Sequence, residues 1–183
     1  QIKSKGIPEP KCWADLLNAK LKDDVQVADP NSSGTAYNLL ATVVQLMGEE
    51  KGFDYLKALH KNINQYTKSG AAPAKATSLG ETTVGIVFIH DAVVFAVQGD
   101  PIKPVAPCEG TGYEIGSMSI VKGARNLENA KKFYDWALTP VAQALEAGPA
   151  GVEAGGGAMI LQGVGAVDPV QERAAVLAGA EHP

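Results

Sequence analysis

The residues best placed to do chemistry stand in one run, "VADPNSSGTAYNLL" from Val27 to Leu40. There an apolar strand passes to an apolar helix through Asp29, Pro30 and Asn31, then Ser32, Ser33, Gly34 and Thr35. A helix opens with backbone N–H groups that have no acceptor inside it, and its dipole leaves partial positive charge at that end. Hydroxyls beside those donors, with a glycine that lets a ligand approach the backbone, suit an oxyanion. The alternative is a plain N-cap at Ser33, which needs only one of the four residues.

Three further stretches carry polar residues at element boundaries. "QYTKSGAAPAK" ends a second strand and offers Tyr66, Thr67 and Ser69 to the same mouth, or forms an ordinary Ser-Gly turn. Ligands of open α/β sheets sit outside the carboxyl ends of the strands, so two such polar ends point at one cleft. "VFIHDAVV" sets Asp91 where it either meets a cationic group on a ligand or caps a helix, while His90 has no Cys or His partner at metal-ligand spacing. "CEGTGYEIGS" places Glu109, Thr111 and Tyr113 among Gly110, Gly112 and Gly116. It matches no dinucleotide or Walker pattern and reads as a hinge at a domain boundary. The chain has no G-x-S-x-G, H-E-x-x-H or C-x-x-C, so no nucleophile with a visible base, no catalytic residue, no metal ligand and no cofactor are expected.

The elements that must position these residues alternate. Residues 13–17 read as a short helix, "VQVA" as a strand and "TAYNLLATVVQLMG" as a helix closed by Gly48. "EEKGFDYLKALHKNI" repeats Phe53, Leu56, Leu59 and Ile63 at helical spacing, with His60 beside the stripe. "NQYTKSG" is a strand end, "APAKATSLGE" a small helix, "TTVGIVFI" a buried strand and "HDAVVFAVQGD" the helix after it. "PIKPVAP" is extended and suits a sheet edge. "YEIGSMSIVKG" reads as another strand, and "NLENAKKFYDWALTPVAQALEAG" as two helical segments broken before Pro140. This alternation predicts an α/β layered fold with a largely parallel sheet. From Gly148 onward 16 of 36 residues are Gly or Ala, which predicts a flexible tail with one weak helix at "DPVQERAAVLAG".

With 183 residues, 45% of them hydrophobic, the chain can bury a core. Its net charge of -4 and scattered lysines exclude a polyanion-binding field, so no nucleic-acid partner is expected. The most apolar stretch, Val84 to Val97, is too short for a membrane span and is interrupted by His90 and Asp91. The start, "QIKSKGIPEP", has no Met and no signal-peptide pattern, which predicts a beginning removed by processing or truncation. Cys12 and Cys108 give no spacing framework, and two unpaired thiols are favoured over a bridge.

"ADPNSSGTAY", "YLKALHKNINQYTKSGAAPAKA", "VGIVFIHDA" and "APCEGTGYEIGSMSIVKGARNLENAKKFYDWALTP" resemble the type II periplasmic solute-binding proteins of ABC importers, in the branch of ferric-ion and 2-aminoethylphosphonate binders. The resemblance covers about Gly6 to Leu145. It implies two α/β lobes joined by crossover strands, a periplasmic location, a small anionic or zwitterionic solute and an ABC permease as partner. In that frame residues 1–106 are a central α/β lobe, 107–147 a crossover and a strand-helix segment of the other lobe, and 148–183 the tail. The first half of the family's first lobe is then missing, and a homodimer covering the open boundary is expected. Ferric binders resemble one another in adjacent tyrosine ligands, and this chain has no Tyr-Tyr pair. The expected ligand is a small phosphonate such as 2-aminoethylphosphonate. Its anionic end is assigned to Ser32, Ser33, Gly34, Thr35, Tyr66, Thr67 and Ser69, and its ammonium to Asp91 or Glu109, with Thr111 and Tyr113 at the hinge. A ferric-ion binder and an α/β enzyme acting on a phosphorylated substrate are the alternatives.

Overall fold

The computed structural model describes residues 1–114, 117–142 and 159–162. They fall in two compact units, one of residues 1–113 with 159–162 and one of residue 114 with residues 117–142. The first unit therefore runs past the expected boundary at residue 106, up to Tyr113.

Its sheet is built on β1 (Val25–Ala28), whose four residues are all buried, as suits a strand covered on both faces. β2 (Ile63–Thr67) lies parallel on one side, with Val27 opposite Tyr66 and Ala28 opposite Thr67. β3 (Val84–Phe88) lies parallel on the other, with Val25 opposite Val84. β5 (Met159–Gln162) runs antiparallel between β3 and the edge strand β4 (Pro104–Val105), giving the order β2-β1-β3-β5-β4. β4 sits at an edge because Pro104 has no N–H for a ladder on both sides.

The sheet departs from expectation in two places. The tail after Gly148, expected to be flexible, supplies β5, because the free edges of β3 and β4 accept an apolar "MILQ" segment between them. The strand expected at "YEIGSMSIVKG" is absent from its described residues, which pair with no described strand. The helix expected at "DPVQERAAVLAG" lies outside the described residues.

Two helices, α1 (Gly34–Met47) and α2 (Glu49–His60), connect β1 to β2. Gly48 between them has φ 82°, a conformation that ends α1 without a Cβ clash. α3 (Ala72–Ser78) connects β2 to β3 and α4 (Ile89–Val97) follows β3. The chain thus leaves β1 toward one side and returns across it to the other. Right-handed crossovers in opposite directions put the helices on opposite faces. Burial agrees: Ile86 packs in the cluster with Leu39, Val43 and Leu59, whereas its neighbour Val87 packs with Ala74 and Ala92. The result is a three-layer α/β arrangement, in line with the α/β layered fold that the alternation predicts.

Trp13, in the 3-10 helix Trp13–Leu17, is fully buried in the first cluster. An indole of this size contributes about 4–6 kcal/mol of transfer free energy. Its polar atoms are matched: Trp13 Nε1 donates to Gly110 O at 2.9 Å, and Trp13 O accepts from Tyr55 OH at 2.6 Å. Burial first, then the Glu109 and Asp15 carboxylates, hold the Tyr55 phenol far above its ordinary range, so it stays a donor. The buried Asn62 amide donates to Leu16 O and Asn18 O.

The two cysteines are not free. Cys12 and Cys108 form a disulfide across 96 residues, with Cα atoms 4.7 Å apart, within the reach such a bond requires. The fold itself brings them together, since Cys108 N–H donates to Lys11 O at 2.9 Å.

In the second unit α5 (Leu127–Ala137) has no buried residue, and Phe133 and Trp136 lie ring to ring at 5.6 Å. Helical structure resumes at residues 140–142, where Ala142 N–H donates to Thr139 Oγ1 at 3.3 Å. The break before Pro140 is as expected.

Candidate anion-binding site

The three parallel strands end at one edge of the sheet, and the loops that follow them carry the polar residues. After β1 the ladder continues one residue further, with Asp29 N–H donating to Thr67 O at 2.7 Å. Asp29 O then accepts from Ser32 N–H at 3.0 Å and Ser33 N–H at 2.9 Å, closing a turn. The Asp29 carboxylate accepts from the backbone N–H of Asn31 at 2.8 Å and from its side-chain amide at 2.9 Å. These bonds hold its pKa below the ordinary value and keep Oδ1 turned into its own loop.

The turn delivers Ser33 to the N-cap of α1 in an extended conformation, φ −132° and ψ 123°, yet its hydroxyl makes no capping bond. A simple cap is therefore not its role. Among the described residues nothing accepts from the N–H of Gly34, Thr35 or Ala36, the donors that a helix start leaves unpaired. Ser32 Oγ lies 3.3 Å from Asp29 O and 3.4 Å from Lys68 O, so it ties this loop to the one after β2.

The second loop presses against the first. A Cβ on Gly70 would lie 2.3 Å from Thr35 Oγ1, 2.9 Å from Thr35 Cβ and 3.1 Å from Ser33 Oγ. Only glycine permits this approach. Thr67 Oγ1 donates to Ser69 O at 2.9 Å and shapes the turn, leaving the exposed Ser69 hydroxyl at its tip. Ser32, Ser33, Gly34, Thr35, Thr67 and Ser69 thus lie on two loops that touch each other. Gly70 and Asp29 shape these loops and lie outside the residues assigned to the ligand from sequence; the Ser69-Gly70 pair directly after a strand is the signal that could have found the glycine.

Asp91 stands at the carboxyl end of β3, in the first turn of α4. Burial raises its pKa and the neighbouring His90 opposes that rise. His90 Nε2 lies 3.8 Å from Asp91 Oδ1, and its ring stacks on Phe88 at 5.6 Å. The sheet order reverses between β1 and β3, and the Ser33 loop and Asp91 follow the carboxyl ends of these two strands.

The remaining expected residues are placed elsewhere. Tyr66 OH bonds His60 Nδ1 at 2.7 Å, the rings stack at 5.7 Å, and Tyr66 lines an apolar cavity of about 110 Å³ with Val27, Leu39 and Leu59. Its phenol pKa is raised by burial and then by Asp29. Glu109 caps the 3-10 helix, accepting from Trp13 N–H at 2.8 Å and Ala14 N–H at 3.1 Å. Cys12, Cys108 and Glu109 are the one cluster of metal-ligating groups among the described residues, and its sulfurs are joined to each other.

Thr111 and Tyr113 belong to a segment that runs back along α1. Gly110 faces Leu46, and a Cβ on Gly112 would meet Thr42 Oγ1 at 2.0 Å and Asn38 Oδ1 at 2.6 Å. Asn38 Nδ2 then donates to Tyr113 O at 3.2 Å. With a rise of about 1.5 Å per residue, Tyr113 arrives about one turn from the unpaired amides of α1.

Comparison with known proteins agrees with this architecture. The sequence profile of the family described as bacterial extracellular solute-binding protein matches residues 1–150. A structure of the periplasmic binding protein AfuA from Actinobacillus pleuropneumoniae, with exogenous fructose-6-phosphate bound, is 55% identical with a TM-score of 0.76. It is matched over 83% of this chain and 48% of that one. A structure of the periplasmic binding protein P5PA is 39% identical with a TM-score of 0.78, over 93% of this chain and 54% of that one. An uncharacterized protein of Haemophilus influenzae is 56% identical over 141 residues, 76% of this chain and 41% of its own length. The chain therefore spans about half the length of these relatives. It belongs to the family of bacterial extracellular solute-binding proteins.

Proposed function

We propose that this chain supplies the phosphate-facing loops of an extracytoplasmic solute-binding component of an ABC importer, a binding protein and not an enzyme. The ligand is a small solute with a phosphoryl or phosphonyl group, and the partner is the importer's permease. One observation carries the reading. Where the loops after β1 and β2 meet at Gly70, the Ser33 hydroxyl and three first-turn amides have no partner among the described residues and stand at the positive end of a helix. The relative that is 55% identical has a sugar phosphate bound, and a phosphonate presents the same tetrahedral oxyanion. The disulfide suits an oxidising compartment outside the cytoplasm. Asp91 then faces the other end of the solute, a sugar hydroxyl or the ammonium of 2-aminoethylphosphonate.

Titration calorimetry of the chain with fructose 6-phosphate, 2-aminoethylphosphonate, inorganic phosphate and fructose tests this. Binding of one or more of the phosphorus-bearing solutes is expected, with none for fructose. Ser33→Ala should weaken that binding about tenfold or more, the worth of a hydrogen bond to a charged group. Ser4→Ala, whose hydroxyl donates to Gln1 O on the surface, should not. Fructose binding as well as its phosphate would refute the proposal, as would equal losses from the two serines.

A further inference from the structure

We infer that the Cys12–Cys108 disulfide is a redox-cleavable clamp. It fixes residues 108–113, the exit of the first unit, along α1, and only its consequence for ligand affinity rests on the phosphate reading above. This segment pairs with no described strand. At its start it is bound to residues 11–14 four ways: the disulfide, Cys108 N–H to Lys11 O, Glu109 to the Trp13 and Ala14 amides, and Trp13 Nε1 to Gly110 O. Further on it is held by the close approach of Gly112 to Thr42 and Asn38 and by the Asn38 amide on Tyr113 O. The second unit begins at the next residue, Glu114. The covalent bond therefore stands between the end of β4 and the end of the first unit, at the start of the segment that leads out of it.

Cys108 is exposed and Cys12 half-buried, so a reductant reaches the bond. Attack by a dithiol on one sulfur gives a mixed disulfide. Its second thiol then displaces the protein, leaving Cys12 and Cys108 as thiols and the reductant as a disulfide, two electrons having passed. What remains at the segment's start are non-covalent contacts, the part-buried Trp13 bonds to Glu109 and Gly110 and the exposed Ala14 bond to Glu109, which break and re-form without chemistry. The segment should then open locally while the sheet stays closed.

Amide hydrogen exchange on the full chain, with and without dithiothreitol and with thiols counted colorimetrically, reads this directly. Once both thiols are free, the Cys108 and Gly110 amides should exchange about tenfold faster or more, the factor for losing one ordinary interaction. The β1 amides and Ile86 should be unchanged. The double variant C12S/C108S should show the same pattern without reductant. Unchanged exchange at 108–113 with both thiols titrating would overturn the clamp, as would an equal acceleration throughout β1 and β3, which means a staple of the whole unit. Affinity for fructose 6-phosphate is measured alongside and should fall severalfold on reduction. If the oxidised chain binds no phosphate compound while 108–113 responds as described, the clamp stands and the phosphate reading fails. If it binds one and 108–113 does not respond, the phosphate reading stands and the clamp fails.

Discussion

Gly70→Ala isolates the contact that makes two loops into one site. Gly70 does not have positive φ, so alanine suits its backbone and the effect is steric alone. The new methyl would sit 2.3 Å from Thr35 Oγ1 and 2.9 Å from Thr35 Cβ, with Ser33 Oγ at 3.1 Å. Thr35 is buried and opens α1, so it has little room to turn away, and its Cβ cannot rotate out of reach. A gap near 1 Å must come from backbone movement of one loop against the other. Overpacking of this kind costs about 1–3 kcal/mol, on the order of 5–10 °C in the unfolding midpoint for a unit of this size. The movement also displaces Ser33 and the first amides of α1, so phosphate affinity should fall with stability. Thermal unfolding followed by tryptophan fluorescence, with calorimetry of fructose 6-phosphate binding, measures both. Thr35→Ala removes the nearest atom and leaves the 2.9 Å contact. The double variant should therefore recover part of the loss, with a coupling of about 1 kcal/mol. A Gly70→Ala chain within about 0.5 kcal/mol of the original would show that the loops do not meet, and the site would lose its geometric basis.

Glu109→Gln removes a charged acceptor from the start of the 3-10 helix and should lower stability by about 1 kcal/mol. Its affinity for fructose 6-phosphate should be unchanged, because the carboxylate serves Trp13 and Ala14; a denaturant midpoint that stays put while affinity drops would return Glu109 to the ligand. Asp91→Asn should raise the unfolding midpoint at pH 7. Burial lifts the Asp91 pKa in the folded chain above its unfolded reference of 3.8. The protonated carboxyl is thus favoured by folding, and that contribution is complete below the reference and lost as pH rises through the folded value. The Asn variant should gain over the wild type at neutral pH, and the difference should close below about pH 3.8. Parallel midpoint curves from pH 3 to pH 8 would contradict it.

What could be read in the sequence was local. "VQVA" announces β1 by its apolar run, Gly48 marks the junction of α1 and α2, and the row from Ser32 to Thr35 signals donors at a helix start because capping chemistry lies within a few residues. The Cys12–Cys108 bond could not be read, since only the packing of residues 11–14 against 108–110 brings the sulfurs together. The same distance hid the role of Glu109, whose partners precede it by more than ninety residues. A carboxylate in a glycine-rich run looks alike in sequence whether it holds a ligand or a helix end. β-propensity misleads at "YEIGSMSIVKG" and is hidden by the glycines around "MILQ" for one reason: a strand forms where a neighbouring edge accepts it, and the edges of β3 and β4 are available to the second segment.

Within the site the division is finer. Which hydroxyls gather there follows from their place after β1 and β2, but which of them are spent does not. Thr67 gives its proton to Ser69 O, Ser32 is drawn to Asp29 O and Lys68 O, and Tyr66 turns to His60, each consumed by the fold. Ser33 occupies a capping position without capping, beside amides that no described group accepts from. Unmade bonds at a helix start cost free energy unless water or a ligand completes them. An anion that takes several of these donors at once gains from each, so the residue that the fold leaves idle is the one whose loss a bound phosphate should feel most.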